Sequence, residues 1–350
     1  MSINAEDTRK VNRQFLLVSR PVGDIKESDF ELLVVPVPTL NSGEVLIRNL
    51  YLSLDPTNRI WMSDMVQYMP PVELGEVMRG VAIGVVEESK NPKLQPGDVV
   101  TGLLGWQDYV LLEEDKANFV TKINPPLPDP LFAAVGPLGV TGVTAYFGLL
   151  DIGQPKAGET VVVSAAAGAV GSVVGQIAKI KGCHVVGITS SDDKCQWLTS
   201  SLGFDAAINY KTTDLNSALA SACPNGVDIY FDNVGGSILD TVLSHLNLFA
   251  RIPLCGLIST YNSTSPVPGP YNFSLILMKR ARVQGFIITD YSNRWHEAIN
   301  DIGEWMKQGK IKQEYEIVEG LEKAPQAILK LFNANKIGKL VVKVSSLPNH

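Results

Sequence analysis

The sequence predicts two units of different architecture: a doubly wound α/β unit built on a parallel sheet, and a smaller β-rich unit. Three observations carry that reading. Roughly the first 125 residues hold many short runs rich in Val, Leu, Ile and Tyr, with few helical stretches among them. Beyond residue 138, apolar strands alternate with helix-length segments, the pattern of parallel strands joined by covering helices. The chain, at 350 residues, also exceeds one ordinary domain, so two compact units are expected.

In the β-rich part the strand candidates are residues 15–18, 31–37, 44–52, 81–87, 98–104 and 109–112. Turn formers separate them: Pro38-Thr39 with Ser42-Gly43, Asn91-Pro92, and Pro96-Gly97. Short strands punctuated in this way predict a barrel-like or sandwich arrangement. The proline-dense stretch 124–130 reads as a boundary.

The second half opens with a helix of small and apolar residues over 138–150. A strand at 160–165, a helix at 170–181 and a strand at 184–189 follow. That helix is apolar on more than one stripe, as expected of a helix packed closely on a sheet and covered elsewhere. Further strands are expected at 206–209, 227–232, 250–255 and 283–288. The helix at 295–307 gathers Trp295, Ala298, Ile299, Ile302, Trp305 and Met306 on one face; a helix at 325–332 and a strand at 339–344 close the chain.

The centre of the functional reading is Val161-Val162-Val163-Ser164-Ala165-Ala166-Ala167-Gly168-Ala169-Val170-Gly171. A buried strand runs into a turn of tiny residues, and a helix opens directly behind it. This brings a pyrophosphate against unpaired N–H groups at the positive end of the helix. Gly168 lets backbone approach phosphate, and Gly171 lets the helix lie close on the strand. The first glycine of the dinucleotide fingerprint is replaced by Ala166, leaving AxGxxG. A bare match of this kind is weak, but strand, turn and helix stand in the order and span the fingerprint requires. The second strand ends Thr189-Ser190-Ser191, without the acid that would hold an NAD ribose. Ser190 and Lys194 suit a 2′-phosphate instead, so NADP(H) is favoured. Asp192 and Asp193 are expected to cap the helix that follows.

Other chemistries are excluded by composition. Net charge is −6, with 30 basic and 36 acidic residues, which argues against nucleic acid as the main partner. Lys279, Arg280 and Arg282 read as a solvated turn beside a strand. The polar start has no apolar core of a secretory signal, and no run approaches the ~18 apolar residues of a membrane span, so the cytosol is expected. Its four cysteines lack CxxC spacing and read as reduced residues. The first cysteine and histidine are Cys183 and His184, so the β-rich part has no soft or nitrogen ligands for a catalytic zinc. Neither GxSxG nor HExxH occurs. Without a metal, a substrate carbonyl needs hydrogen-bond donors. Tyr261 suits that role, lying just past an apolar strand where wound sheets hold ligands. The same position equally suits a loop tyrosine packed on its neighbours.

Several segments together resemble the zinc-independent medium-chain dehydrogenase/reductase superfamily, in its prostaglandin reductase and alkenal (enone) double-bond reductase branch, which includes curcumin-reductase-like members. They are LSLDPTNRIWMSD (52–64), GWQDYVLL (105–112), GVTGVTAYFGL (139–149), AAAGAVGSVVGQIAK (165–179), FDNVGG (231–236), CGLISTYN (255–262) and GKLVVKV (338–344). The resemblance implies a GroES-like substrate and catalytic domain over residues 1–130, completed by about 315–350, a Rossmann NADP domain over 131–314, and homodimers. It implies that Gly168, Ala169, Val170 and Gly171 hold pyrophosphate, and that Lys194 and Tyr210 hold the adenosine phosphate end. Asn233, the loop of Cys255, Gly256, Leu257, Ile258, Ser259, Thr260 and Tyr261, and Phe286, Ile287 and Ile288 would line the nicotinamide half. Tyr261 would hydrogen-bond the substrate carbonyl or enolate. Two positions depart from the pattern. Thr57 stands where relatives often have tyrosine, removing a pocket aromatic, with Trp61, Met65 and Tyr68 left as candidates for the substrate mouth. Lys336 stands where an asparagine is usual, leaving the C-terminal cofactor contact to Asn335 or Lys336. The expected activity is NADPH-dependent reduction of the activated C=C bond of α,β-unsaturated ketones or aldehydes. Quinone reduction, or a non-catalytic NADP-binding scaffold, are the alternatives.

Overall fold

The computed structural model describes residues 10–116, 120–333 and 336–347. Chain contacts divide it into two compact units. One takes in the described residues of Met1–Ala134, Ile317–Lys330 and Val341–His350; the other comprises Val135–Glu316 and the described residues of Leu331–Leu340.

In the first unit, strands β1 (Val11–Leu17) and β2 (Phe30–Pro36) pair antiparallel as a two-stranded sheet. The main sheet is built on β3 (Val45–Ser53), β4 (Val81–Ser89), β5 (Val99–Leu103), β6 (Tyr109–Leu112) and β7 (Thr121–Lys122). β3 pairs antiparallel with both β4 and β6. It is almost wholly buried, and its one fully buried amide, Asn49, is satisfied by donating Nδ2 to the Gln107 carbonyl at 2.7 Å. Trp106 is fully buried, stacked on Phe30 at 5.1 Å and met edge-on by Phe15 at 6.5 Å. This ring anchors the small sheet to the large one.

The second unit holds β8 (Thr160–Ser164), β9 (His184–Thr189), β10 (Ala206–Asn209), β11 (Val227–Phe231), β12 (Leu246–Leu254) and β13 (Arg282–Gly285). All neighbours in this sheet run parallel, in the order β10-β9-β8-β11-β12-β13. The chain winds outward from β8 in one direction, then returns to wind outward from β11 in the other. Ligands gather at such a reversal. Two apolar clusters cover the two faces: Val161, Val163 and Val185 pack with Val173, Val174 and Ile177 of the helix Ala169–Ile180, while Val162, Val186 and Ile188 pack with Leu219, Ile238 and Val242. Alternate residues of one strand thus enter opposite layers, and each fully buried valine contributes about 1.5–3 kcal/mol. The last strands, β14 (Tyr315–Glu319) and β15 (Lys339–Lys343), extend the β3 sheet, with Val341 opposite Ser53.

Local differences from the sequence expectation have physical causes. The helix expected over 138–150 is α-helical at Val140–Phe147 and then widens into a π turn, Gly148–Gly153, closed by Gln154 at φ +49°. Rings crowd Gly148: a Cβ there would lie 2.5 Å from Phe286 Cζ and 2.7 Å from Phe231 Cε2. The strand expected over 283–288 ends at Gly285, because Phe286 turns aside to pack on Phe231. Residues 325–332 form a short helix, Ala324–Ala327, followed by a 3-10 turn.

Candidate active site

Candidate residues of the second unit cluster at the carboxyl-terminal ends of its parallel strands. The turn after β8 is tight. Ala165 takes φ +48°, and its carbonyl accepts the Gly168 N–H at 2.9 Å. A Cβ on Gly171 would lie 2.5 Å from that carbonyl oxygen and 2.9 Å from Ala166 Cα, with backbone on both sides and nothing flexible to yield. A Cβ on Gly168 would meet the same oxygen at 3.1 Å. Gly171 is therefore a steric requirement, and Gly168 a close fit. Behind them the twelve-residue helix Ala169–Ile180 presents first-turn N–H groups, which have no partner within the helix. Ala167 and Gly168 are further braced by Gly338, whose N–H donates to the Ala167 carbonyl at 2.8 Å. Sequence reading missed this brace because its two halves lie about 170 residues apart.

At the end of β9 the Lys194 ammonium donates to Ser190 Oγ at 3.1 Å, although Lys194 is buried. Desolvation, and then the like charge of Lys211, hold its pKa below the ordinary lysine value. Tyr210 stands beside them, its N–H bonded to the Thr189 carbonyl at 3.1 Å, and is exposed. A hydroxyl and two neighbouring ammonium groups form a donor set that fits a phosphate dianion. Asp192 and Asp193 occupy the first turn of the helix Asp192–Leu202, but neither caps it. Ser191 is the N-cap residue, and Asp192 accepts a bond from Asn209 Nδ2 at 2.8 Å instead. Both acids also stand in the first turn, where the helix dipole favours them.

Between β8 and β11 lies the reversal point. Asn233 donates from its backbone to Ser164 Oγ at 2.9 Å and from Nδ2 to the Ser164 carbonyl at 2.8 Å. The loop after β12 then hangs on the β11 turn. Cys255 N–H bonds the Asp232 carbonyl, Ile258 N–H the Asn233 carbonyl, and Ser259 N–H the Val234 carbonyl, at 2.8, 3.3 and 3.2 Å. Tyr261 folds back over this loop, its phenol oxygen accepting the Leu257 N–H at 3.1 Å. The Tyr261 oxygen would lie 3.0 Å from a Cβ on Gly256, so that glycine makes room for the ring. Phe286 is half-buried against Phe231 at 6.4 Å, and the Ile288 carbonyl accepts from Trp295 Nε1 at 3.1 Å. Lys336 Nζ donates to the Gly338 carbonyl at 2.7 Å, and Asn335 lies outside the described residues.

Within the other unit, Trp61 is buried and its Nε1 donates to Tyr68 Oη at 2.8 Å, while Met65 is exposed. Thr57 Oγ1 lies 2.6 Å from the same phenol. The position where relatives often have tyrosine thus touches a tyrosine eleven residues on.

Two family models match the chain. One, described as the N-terminal domain of oxidoreductase, matches residues 13–120, and the other, described as zinc-binding dehydrogenase, matches residues 169–304. The NADPH-dependent curcumin reductase of Escherichia coli is 47% identical over 339 residues, spanning 95% of this chain and 97% of its own length. This chain belongs to the zinc-independent medium-chain dehydrogenase/reductase family. Its branch holds the prostaglandin and alkenal reductases. The NADP-dependent 2-alkenal reductase of Nicotiana tabacum is 41% identical, across 95% of this chain and 98% of its own. CurA from Vibrio vulnificus in complex with NADPH superposes with a TM-score of 0.90 at 46% identity, covering 95% of this chain and 99% of CurA. Among the described residues no group of three or more His, Cys, Asp or Glu side chains is placed to hold a metal ion, and no helix is long and apolar enough to cross a membrane.

Proposed function

We propose that this protein is an NADPH-dependent reductase of the activated C=C bond in α,β-unsaturated ketones and aldehydes. The observation that carries the reading is the Tyr261 phenol. It is held against its own loop by the Leu257 N–H, one strand over from the Ser164–Asn233 contact at the reversal of the sheet. When bound, NADPH supplies the hydride that adds to the substrate's β-carbon. The Gly168–Gly171 turn and the helix behind it would hold the pyrophosphate, Ser190, Lys194 and Tyr210 the 2′-phosphate end, and Asn233 with the 255–261 loop the nicotinamide end. Phe286, Ile287, Ile288 and Asn335 complete the assignment. A phenol that already accepts an N–H is polarised toward giving its own proton. Tyr261 would thus stabilise the enolate oxygen before solvent protonates the α-carbon. The names borne by the relatives support this substrate class.

In this reading residues 1–130, completed by about 315–350, form the substrate domain, and 131–314 the cofactor domain. The chain works as a cytosolic homodimer. Four cysteines without a disulfide suit a reducing compartment. The open edge at β13, with Phe249, Phe273, Leu277 and Met278 exposed nearby, suits self-association; light scattering that returns a monomer mass would overturn that part. The activity is tested by following NADPH oxidation at 340 nm, the absorbance of the reduced nicotinamide, with a panel of enals, enones and quinones. Turnover of enals or enones is expected. Tight NADPH binding with no turnover of any of them would overturn the proposal.

A further inference from the structure

Asp232 follows β11 directly at the reversal point and is completely buried. Its bonding is one-sided. Oδ1 accepts four donors: Tyr230 Oη at 2.8 Å, Val234 N and Gly235 N at 2.9 Å each, and Ser164 Oγ at 3.1 Å. Oδ2 is buried with no hydrogen-bond partner among the described residues. Burial pushes this carboxyl's pKa up, against the pull of the Gly235 and Val234 N–H groups. A side chain held in place for bulk stability would be expected to spread its bonds over both oxygens, since a buried oxygen left unpaired costs free energy.

The donors show what the concentration achieves. Two of them set the turn that follows, where Gly235 and Gly236 take φ +69° and +57°. These two glycines press on the Tyr261 loop: a Cβ on Gly235 would lie 2.6 Å from Leu257 Cδ2, and one on Gly236 2.9 Å from Ser259 Oγ. The carbonyls of Asn233 and Val234 then receive Ile258 N–H, Ser259 N–H and Ser259 Oγ, the last at 2.6 Å. Leu257 N–H in turn holds the Tyr261 phenol. A continuous run of bonds joins the Asp232 carboxylate to the phenol oxygen, and Asp232 itself is completely buried.

We propose that Asp232 is a positioning residue for the reduction, fixing the 233–235 turn through one oxygen and, through that turn, the loop that aims Tyr261. The inference rests on the role assigned to Tyr261, and its test separates the two. The NADPH-loaded full-length chain is assayed with benzalacetone as the enone, in a cycle of Asp232→Ala, Tyr261→Phe and the double variant. Asp232→Ala is expected to lower kcat about 30-fold, since sub-ångström misplacement of a reacting group is costly, while NADPH Kd moves less than about threefold. Asp232→Asn, which keeps an oxygen at Oδ1, restores most of that kcat. In the Tyr261→Phe background, Asp232→Ala costs less than about threefold more, because the group it positions is already gone. Should Asp232→Ala fail to fold, Ser259→Ala removes only the exposed hydroxyl's bond to Val234, with a fall of about fivefold that likewise vanishes beside Tyr261→Phe. Fully additive losses, or a kcat unchanged by Asp232→Ala, would overturn the positioning role. An unchanged kcat in Tyr261→Phe alone would overturn the phenol's role, and this inference with it.

Discussion

The turn after β8 and the turn after β11 stand at the same edge of one parallel sheet, yet they are built by opposite means. The first is a matter of missing atoms. Gly168 and Gly171 leave space where a Cβ would meet the Ala165 carbonyl, and backbone alone makes the cradle. The second is a matter of added ones: a carboxylate, two hydroxyls and an asparagine amide cross-link Ser164, Tyr230, Asp232 and Asn233, and the loop that follows β12 hangs on the carbonyls of Asn233 and Val234. A backbone cradle suits an invariant ionic group such as a pyrophosphate. A cross-linked turn suits the half of a site where a proton must be given at a defined point. The comparison predicts that damage to the first turn reads out in cofactor binding and damage to the second in turnover.

The largest break is expected from Gly171→Ala. Its Cβ has nowhere to go without moving the Ala165–Ala166 backbone, so NADPH affinity should fall about 100-fold or more, with a lower melting temperature. Calorimetric titration with NADPH measures it, and wild-type affinity would show that the turn yields easily. Next comes Tyr261→Phe, which removes one hydroxyl from the cross-linked side. We expect kcat with enones to drop about 30-fold while NADPH Kd stays within about twofold. A loss that appears in Kd rather than kcat would erase the contrast between the turns.

Lys194→Met tests the other proposed phosphate contact, the Ser190–Lys194 pair after β9. Loss of one charged donor should weaken NADPH about tenfold and leave NADH untouched, as read from the two dissociation constants. The smallest effect concerns protons. Lys194 is held below the ordinary lysine pKa in the free protein, and a phosphate dianion beside it restores the charged form. The bound pKa therefore exceeds the free one, so NADPH binding should take up a fraction of a proton as pH rises from neutral into the alkaline range. Titration calorimetry in buffers of different ionisation enthalpy reads the sign, and proton release would place the 2′-phosphate elsewhere.

The two turns also differ in how far the sequence displays them. Val161, Val162 and Val163 followed by Ala165 to Gly171 state strand, turn and helix in eleven consecutive residues, because close approach of backbone is a local steric condition. The Ser190–Lys194 contact is one helical turn long and was equally legible. Asp232 was not. Its four donors come from Ser164, Tyr230, Val234 and Gly235, and the Ser164 bond spans 68 residues. Gly338 at the Ala167 carbonyl escaped for the same reason. Asp192 was misread as a cap because an acid at a helix start usually serves there; tertiary packing gave it Asn209 instead.

What the sequence determined alone is the class of fold, the tight glycine turn between β8 and its helix, and the want of cysteine and histidine before Cys183, since each depends on residue type over short spans. The tertiary structure decided which N–H holds the Tyr261 phenol, where β13 ends and which oxygen of Asp232 does the bonding. Those outcomes depend on what lies across the sheet. Hydrogen bonds between strands distant in the chain leave no periodic trace in the order of residues.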